Sequence, residues 1–395
     1  MHAPSRTLLF VALNGVMMIY GFSVTMIGPL MPSLIGEYTL KLAGGGLVET
    51  FRNVGGVIAA LAGGAVSDKL PKTRLVAVCF AGYGLSLVLI GLAPAYVLLL
   101  LLFFLLGGTT RLVDSISNAL TADLYAEAPG PALNLMHTIF AVGALSGPIF
   151  SRFMLVGSGQ WQIAYSVLAG ICFGVLLFFL TVEARVRRRS ALPARAEASG
   201  PSAGGVRGEG TLRLLRYPRM WLLSGIMFCY AGHQSGASVW LPTFMEQAVG
   251  SSSTVAAASV SFLWIGILTG RFAAISLTRR LEPRIMLSVG TLAAGLLLGI
   301  AFAAGTSAAI GAASLLAGFL TGAVVPLLIQ VACGWVPQYS GSASALVFFN
   351  SSLSRTFFPW VIGLIAQSVS FQAGMTLVWA PLILAGALAF AIPKD

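Results

Sequence analysis

The chain has 395 residues, of which 57% are hydrophobic and only 9% charged, and it carries a formal net charge of +11. A soluble globular chain carries roughly 25% charged residues, so the composition excludes a water-soluble domain and predicts an integral membrane protein. The basic excess is not a nucleic-acid footprint. Of 23 Lys and Arg, Lys41 alone falls in one set of loops, Arg52, Arg111, Arg152, Arg271 and Arg355 fall within apolar segments, and the other 17 lie in the termini and the alternating loops, the asymmetry that keeps basic loops in the cytoplasm.

A spanning helix needs about 20 apolar residues, and twelve such segments are expected. Span 1 covers about Thr7–Met31, a full-length span rather than a cleavable leader, with Pro29 and Pro32 at its outer end. Span 2 covers about Gly44–Val66 and carries Glu49 and Arg52 three residues apart near its outer end. The basic inner loop Ser67–Arg74 leads to spans 3 (about Leu75–Leu92) and 4 (about Tyr96–Leu120). The acidic loop Thr121–Ala132, holding Asp123 and Glu127, leads to spans 5 (about Leu133–Val156) and 6 (about Gln162–Val182).

Residues 183–217 hold VRRRS, then a Pro/Ala/Gly/Ser-rich tract, then TLRLLRYPR. Such a composition cannot bury a core and reads as a basic cytoplasmic linker. Spans 7–12 follow at about 218–243, 255–277, 285–303, 308–333, 341–366 and 373–392. The expected organisation is therefore an N-terminal six-helix bundle (1–182), a linker (183–217) and a C-terminal six-helix bundle (218–395). Both termini are expected on the cytoplasmic side of a plasma or bacterial inner membrane.

The second half repeats the first at an offset of about 210 residues. Tyr20 and Pro32 correspond to Tyr230 and Pro242, Gly56 and Arg74 to Gly266 and Arg284, and Gly108 to Gly318. A six-span repeat is parallel, related by an axis along the membrane normal.

Ionisable residues inside a span are expensive, roughly 2.5–3.5 kcal/mol each at a helix centre, and mark function or pairing. Arg111, Asp114 and Asn118 follow i, i+3, i+7 spacing and share a helix face. Desolvation disfavours a charged carboxylate and a nearby Arg favours it, so Asp114 is the expected proton carrier, with Arg111 as its modulator. His137 is placed either to bind substrate or to neutralise Asp123. Asn118, Asn134, Tyr20, His233, Gln234, Trp264, Gln330 and Asn350 are the other candidate substrate contacts, a mixture of stacking faces and hydrogen-bonding groups suited to a polar solute. Glu49 and Arg52 are expected as a structural pair or outer gate. An anionic substrate becomes attractive if Arg271 or Arg355 faces a cavity, with helix packing as the alternative.

The four cysteines, Cys79, Cys172, Cys229 and Cys333, stand singly, so neither a disulfide framework nor a metal site is expected. No P-loop, HExxH, GxSxG or EF-hand pattern is present. A non-enzyme without cofactor is expected, acting as a monomer in the lipid bilayer on a small-molecule substrate and protons, with no nucleic-acid partner.

The whole chain resembles a major facilitator superfamily transporter, in its six-plus-six spans, basic central loop and parallel repeat. It carries a degenerate form of the family's loop signature in Gly64-Ala-Val-Ser-Asp68-Lys69-Leu-Pro71-Lys72-Thr-Arg74, with Pro71 where Gly is usual. The resemblance implies that this loop, with Asp68, Lys69 and Arg74, latches the halves on the cytoplasmic side, Asp68 facing Arg279, Arg280 and Arg284. Within the superfamily, Asp114-x-x-x-Asn118, Leu133-Asn134-Leu-Met-His137 and Gly143-Ala144-x-x-Gly147-Pro148 are similar to the fucose permease-like sugar transporters. That likeness implies a proton-coupling role for Asp114 and sugar contacts from span 5. Phe140 departs from the pattern, where a second Asn is usual, and span 1 lacks the acid that the subfamily carries.

The expected function is secondary active transport of a small polar solute, a sugar or sugar derivative, by proton-coupled alternating access. The alternative is a proton-driven exporter of a drug-like compound or metabolite.

Overall fold

The structure, a computed structural model, describes residues 3–67, 71–127, 129–189, 214 and 216–393. Asp68 and Lys69, and with them the loop latch, lie outside the described residues, as does most of the expected linker.

Every described regular element is helical. The helices are α1 (Ala3–Thr25), α2 (Ile27–Glu37), α3 (Leu42–Ser67), α4 (Lys72–Ile90), α5 (Tyr96–Leu124), α6 (Pro129–Ser158) and α7 (Trp161–Arg189). After the linker come α8 (Pro218–Gln247), α9 (Ser253–Leu277), α10 (Pro283–Ala304), α11 (Ser307–Thr321), α12 (Val324–Trp335), α13 (Ser340–Ser368) and α14 (Phe371–Ala389), with one 3-10 turn at Pro337–Tyr339. Two expected spans are interrupted: the first at Met26, between α1 and α2, and the tenth at Gly322 and Ala323, between α11 and α12. Counting each interrupted pair as one gives the twelve spans. Helices α3, α8 and α13 fall short of the apolarity of the other spans. These three hold Glu49 and Arg52, His233 and Gln234, and Asn350 and Arg355.

The chain forms two compact units, Met1–Val24 with Phe51–Gly205, and Thr25–Thr50 with Val206–Asp395. In the first, glycines let backbones touch, the small-residue packing that substitutes for hydrophobic drive in lipid. A Cβ on Gly55 would overlap the Phe104 carbonyl, and one on Gly107 the Arg52 carbonyl, so α3 and α5 lie backbone to backbone. Gly21 and Gly143 do the same for α1 and α6, meeting the carbonyls of Phe140 and Met18. Phe10, Met17, Ala132 and Met136 form a buried cluster, with Tyr20, Tyr125, Leu133 and Phe140 packed on it.

The second unit repeats this construction. Gly266 meets the Leu315 carbonyl and Gly318 the Leu263 carbonyl, which joins α9 to α11. Each partner in these two contacts stands 211 positions after its counterpart in the first unit, so the packing sets the repeat one residue longer than the sequence matches suggest. Gly232 packs on the Phe358 ring, joining α8 to α13, and Trp240 Nε1 donates to the Pro359 carbonyl at 2.7 Å.

Residues 25–50 belong to this unit. Gly28 sits on the Ser238 carbonyl and Gly46 on the Pro359 carbonyl. Thr50 Oγ1 donates to the Thr356 carbonyl at 2.7 Å and the Ala43 N–H to Gln367 Oε1 at 3.1 Å.

Candidate functional site

Helix α5 runs 29 residues from an extended Ala95 to Tyr125. Thr109 and Thr110 return their hydroxyls to carbonyls of the preceding turn, so the polar groups of this helix that bond to other side chains begin at Arg111. Arg111 Nη1 stands 3.5 Å from Asp114 Oδ2, long against the roughly 2.7–2.9 Å of a charge-assisted hydrogen bond. Asn118 Nδ2 donates both to the Asp114 carbonyl at 2.8 Å and to Asp114 Oδ1 at 2.9 Å. Helix α6 supplies the fourth member, with His137 Nε2 at 3.1 Å from Asn118 Oδ1. Because the Asn118 amide nitrogen is committed to Asp114, its oxygen is the acceptor, and His137 donates through Nε2–H. One polar chain thus runs Arg111–Asp114–Asn118–His137 across two helices.

Asp114 retains 19% of its side-chain surface and Arg111 retains 37%, so neither is sealed in the packed core. The Asp114 carboxylate has one oxygen fixed by Asn118 and the other only loosely held by Arg111. Protonating that second oxygen would turn an acceptor into an O–H donor facing a guanidinium that can only donate. Protonation of Asp114 and approach of Arg111 therefore oppose one another.

The remaining candidates of the first unit are more dispersed. Tyr20 packs its ring on Phe140 with centroids 4.9 Å apart, which brings α1 to the helix bearing His137. Asn134 is exposed, one turn before His137. Arg52 is buried in α3, and Glu49, also buried in α3, is counted with the second unit. Arg74 is exposed in the first turn of α4. Its neighbours bind within their own unit: Lys72 Nζ lies 2.6 Å from Asp123 Oδ2, and Thr73 Oγ1 donates to Glu183 at 2.9 Å. Asp123 is met by Lys72, and His137 engages Asn118.

In the second unit Gln234 accepts from Arg355 Nη2 at 2.7 Å and donates to the Tyr230 hydroxyl at 3.3 Å. Adjacent His233 turns the other way and meets the Val378 carbonyl at 2.6 Å. A ring nitrogen can approach a carbonyl that closely only as a donor, so Nδ1 carries the proton. Trp264 is buried in α9. Asn350 donates to the Leu346 carbonyl of its own helix at 3.0 Å, and Gln330 is exposed on α12. Arg279 and Arg280 are exposed after α9, and Arg284 donates to the Phe390 carbonyl at 2.6 Å. Tyr230 stood outside the candidate substrate contacts, and Arg355 was named only as a cation that would favour an anion if it faced a cavity. Their signal in the sequence was present: a lone Arg in an apolar helix, and a Tyr one turn before Gln234.

A sequence profile described as the Major Facilitator Superfamily matches residues 13–307. The mouse protein named sodium-dependent glucose transporter 1A is 22% identical over 389 residues, covering 87% of this chain and 86% of its own. The inward-facing, unoccupied crystal structure of a bacterial homologue of the human lysosomal transporter Spinster superposes with a TM-score of 0.79 at 17% identity, covering 99% of this chain and 97% of its own. The crystal structure of a D-xylose–proton symporter gives 0.74 at 16% identity, covering 98% of each chain. With the profile spanning most of the sequence and the twelve-helix fold shared across nearly the full length of these structures, the chain belongs to the Major Facilitator Superfamily.

Proposed function

We propose that this transporter moves a small polar solute, a sugar or sugar derivative, together with protons, and that Asp114 is the proton carrier. The observation that carries this reading is the polar chain Arg111–Asp114–Asn118–His137. A carboxylate within a span is retained at a cost of a few kcal/mol, and here it is built with one fixed oxygen and one oxygen open to either Arg111 or a proton. Deprotonated Asp114 attracts Arg111, and protonated Asp114 releases it. Coupling follows because the two charge states favour different positions of Arg111, so a proton bound from one side of the membrane biases which conformation the protein prefers. Asn118 and His137 pass that change from α5 to α6, where the Tyr20–Phe140 contact offers an aromatic wall for a solute. The name of the mouse relative and the xylose–proton symporter support the sugar class. Residues 1–182 and 218–395 act as the alternating halves, and the basic loops and both termini are cytoplasmic.

Purified protein in liposomes tests this under an imposed proton gradient, an imposed sodium gradient, or neither, with labelled hexoses, pentoses and a cationic dye. Accumulation of a sugar with the proton gradient alone is the expected result. Accumulation with the sodium gradient alone removes the proton carrier from the account. Proton-driven movement of the dye with indifference to sugars makes the protein an exporter.

A further inference from the structure

The start of α10 and the end of α14 border a cavity of about 260 Å³, inside the second unit and at the edge of two spans. It is lined by Glu282, Arg284, Ile285, Ser288, Val289 and Phe390. Close backbones fix its walls. A Cβ on Gly386 would lie 2.9 Å from the Ser288 carbonyl and 2.8 Å from the Leu292 nitrogen, so α14 lies directly on α10. Arg284 Nη2 donates to the carbonyl of Phe390, the residue that ends α14, at 2.6 Å. That bond satisfies one of the orphan acceptors of a helix end and ties the guanidinium to the neighbouring helix.

The polar groups of this lining keep bonding capacity to offer. Arg284 commits one of its five N–H donors to Phe390, and no other acceptor among the described residues meets it. Glu282 stands at the N-cap of α10, yet its side chain makes no capping bond, and no cation among the described residues pairs with its carboxylate. Ser288 is buried and its Oγ has no hydrogen-bond partner among the described residues, whereas Thr291 of the same helix returns its hydroxyl to the Leu287 carbonyl. Arg279 and Arg280 are exposed in the turn before α10 and stand outside the lining. The rest of the wall is apolar. Ile285 and Val289 follow i, i+4 spacing on one face of α10, and both are exposed, as is Phe390, a patch that suits hydrocarbon.

A cation, a carboxylate and an exposed apolar strip around one cavity match a ligand that joins an anion, a cation and a hydrocarbon chain. A phosphate fits the guanidinium fork, and a primary ammonium brings three N–H donors to a carboxylate. A choline headgroup has no N–H to donate, and a glycerol headgroup has no cation for Glu282.

We propose that this cavity is a phospholipid site, selective for a headgroup that carries both a phosphate and a primary ammonium, as phosphatidylethanolamine does. Arg284 takes the phosphate, Glu282 takes the ammonium, and Ser288 adds a hydrogen bond to an ester oxygen. An acyl chain runs along Ile285, Val289 and Phe390, so the bound lipid bridges α10 and α14. The site is independent of the solute that is carried and of the role of Asp114.

The test is lipid retention by the detergent-purified full chain, read by native mass spectrometry and by thermal stabilisation, with dioleoyl phosphatidylethanolamine, phosphatidylcholine and phosphatidylglycerol. Phosphatidylethanolamine is expected to be retained at least fivefold more than either of the others. Glu282→Gln, a change at an exposed position, is expected to bring it down to the phosphatidylcholine level while the lipid-free protein melts as the parent does. Arg284→Gln is expected to lower retention of phosphatidylethanolamine at least fivefold. Because that variant also deletes the bond to Phe390, Arg284→Lys is compared with it and is expected to regain part of the loss. Ser288→Ala is expected to cost about twofold. Equal retention of the three lipids overturns the proposal, as does a preference for phosphatidylethanolamine that survives in Glu282→Gln. Free phosphoethanolamine, the headgroup without its chains, is expected to compete only at concentrations at least a hundredfold higher. Competition at equal concentration would make the cavity a site for a soluble solute and would overturn the lipid assignment.

Discussion

The two units are built alike and charged differently. Gly55 and Gly107 clasp α3 to α5 as Gly266 and Gly318 clasp α9 to α11, with the same carbonyl in the same role. The polar residues do not follow this repeat. At the repeat interval of 211, Arg111, Asp114 and Asn118 fall on Gly322, Val325 and Ile329, while Arg271 and Arg355 fall on Ala60 and Ala144. Packing is thus the duplicated property, because every crossing in lipid needs close backbones. The costly groups are placed once, where one unit or the other uses them. An acid–amide–imidazole chain belongs to the first unit and an arginine–amide–phenol chain, Arg355–Gln234–Tyr230, to the second.

Breaking the shared part has the largest expected effect. Gly107→Leu and Gly318→Leu each push a side chain into a carbonyl that cannot yield. Forcing methylenes into a packed interior costs about 1–3 kcal/mol even where side chains can give way. Both variants are expected to lose at least tenfold in monodisperse protein on size exclusion, whereas Gly174→Leu, where a Cβ meets nothing within 4 Å, keeps its yield.

The unshared part is sharpened by moving the acid. In Asp114→Asn/Val325→Asp the carboxylate sits at the equivalent place in the second unit, where Gly322 and Ile329 offer neither guanidinium nor amide. Gradient-driven accumulation is expected to stay at least tenfold below the parent, and recovery would show that position alone, without partners, suffices.

Smaller effects come from the links. Asn118→Leu removes the group joining Asp114 to His137. A hydrogen bond to a charged group is worth about 1.5–3 kcal/mol, so initial uptake is expected to fall on the order of tenfold. His137→Gln keeps an N–H donor toward Asn118 and is expected to cost only about two- to threefold, and His137→Leu more.

Much of the first unit was legible in the chain. Helical spacing alone put Arg111, Asp114 and Asn118 on one face, and the structure joins them by hydrogen bonds. His137 was harder, because it lies on another helix and the sequence left it between substrate binding and neutralising Asp123. Spacing could not place Lys72 beside Asp123, where the structure puts it. The second unit was less legible. Tyr230, Gln234 and Arg355 meet only because α8 and α13 pack together, a contact with no local sequence period. His233 sits beside Gln234 in sequence but about 100° around the helix, and it faces the Val378 carbonyl instead. The breaks at Met26 and Gly322 were also hidden, since an interrupted helix keeps the hydropathy of a continuous one.

Asp114→Asn in proteoliposomes tests the central claim most directly, with accumulation under a proton gradient and gradient-free exchange measured on the same preparation. Coupling through Asp114 predicts that accumulation falls at least tenfold while exchange stays within about threefold of the parent. Accumulation at the parent level in Asp114→Asn would contradict it, whichever solute is carried.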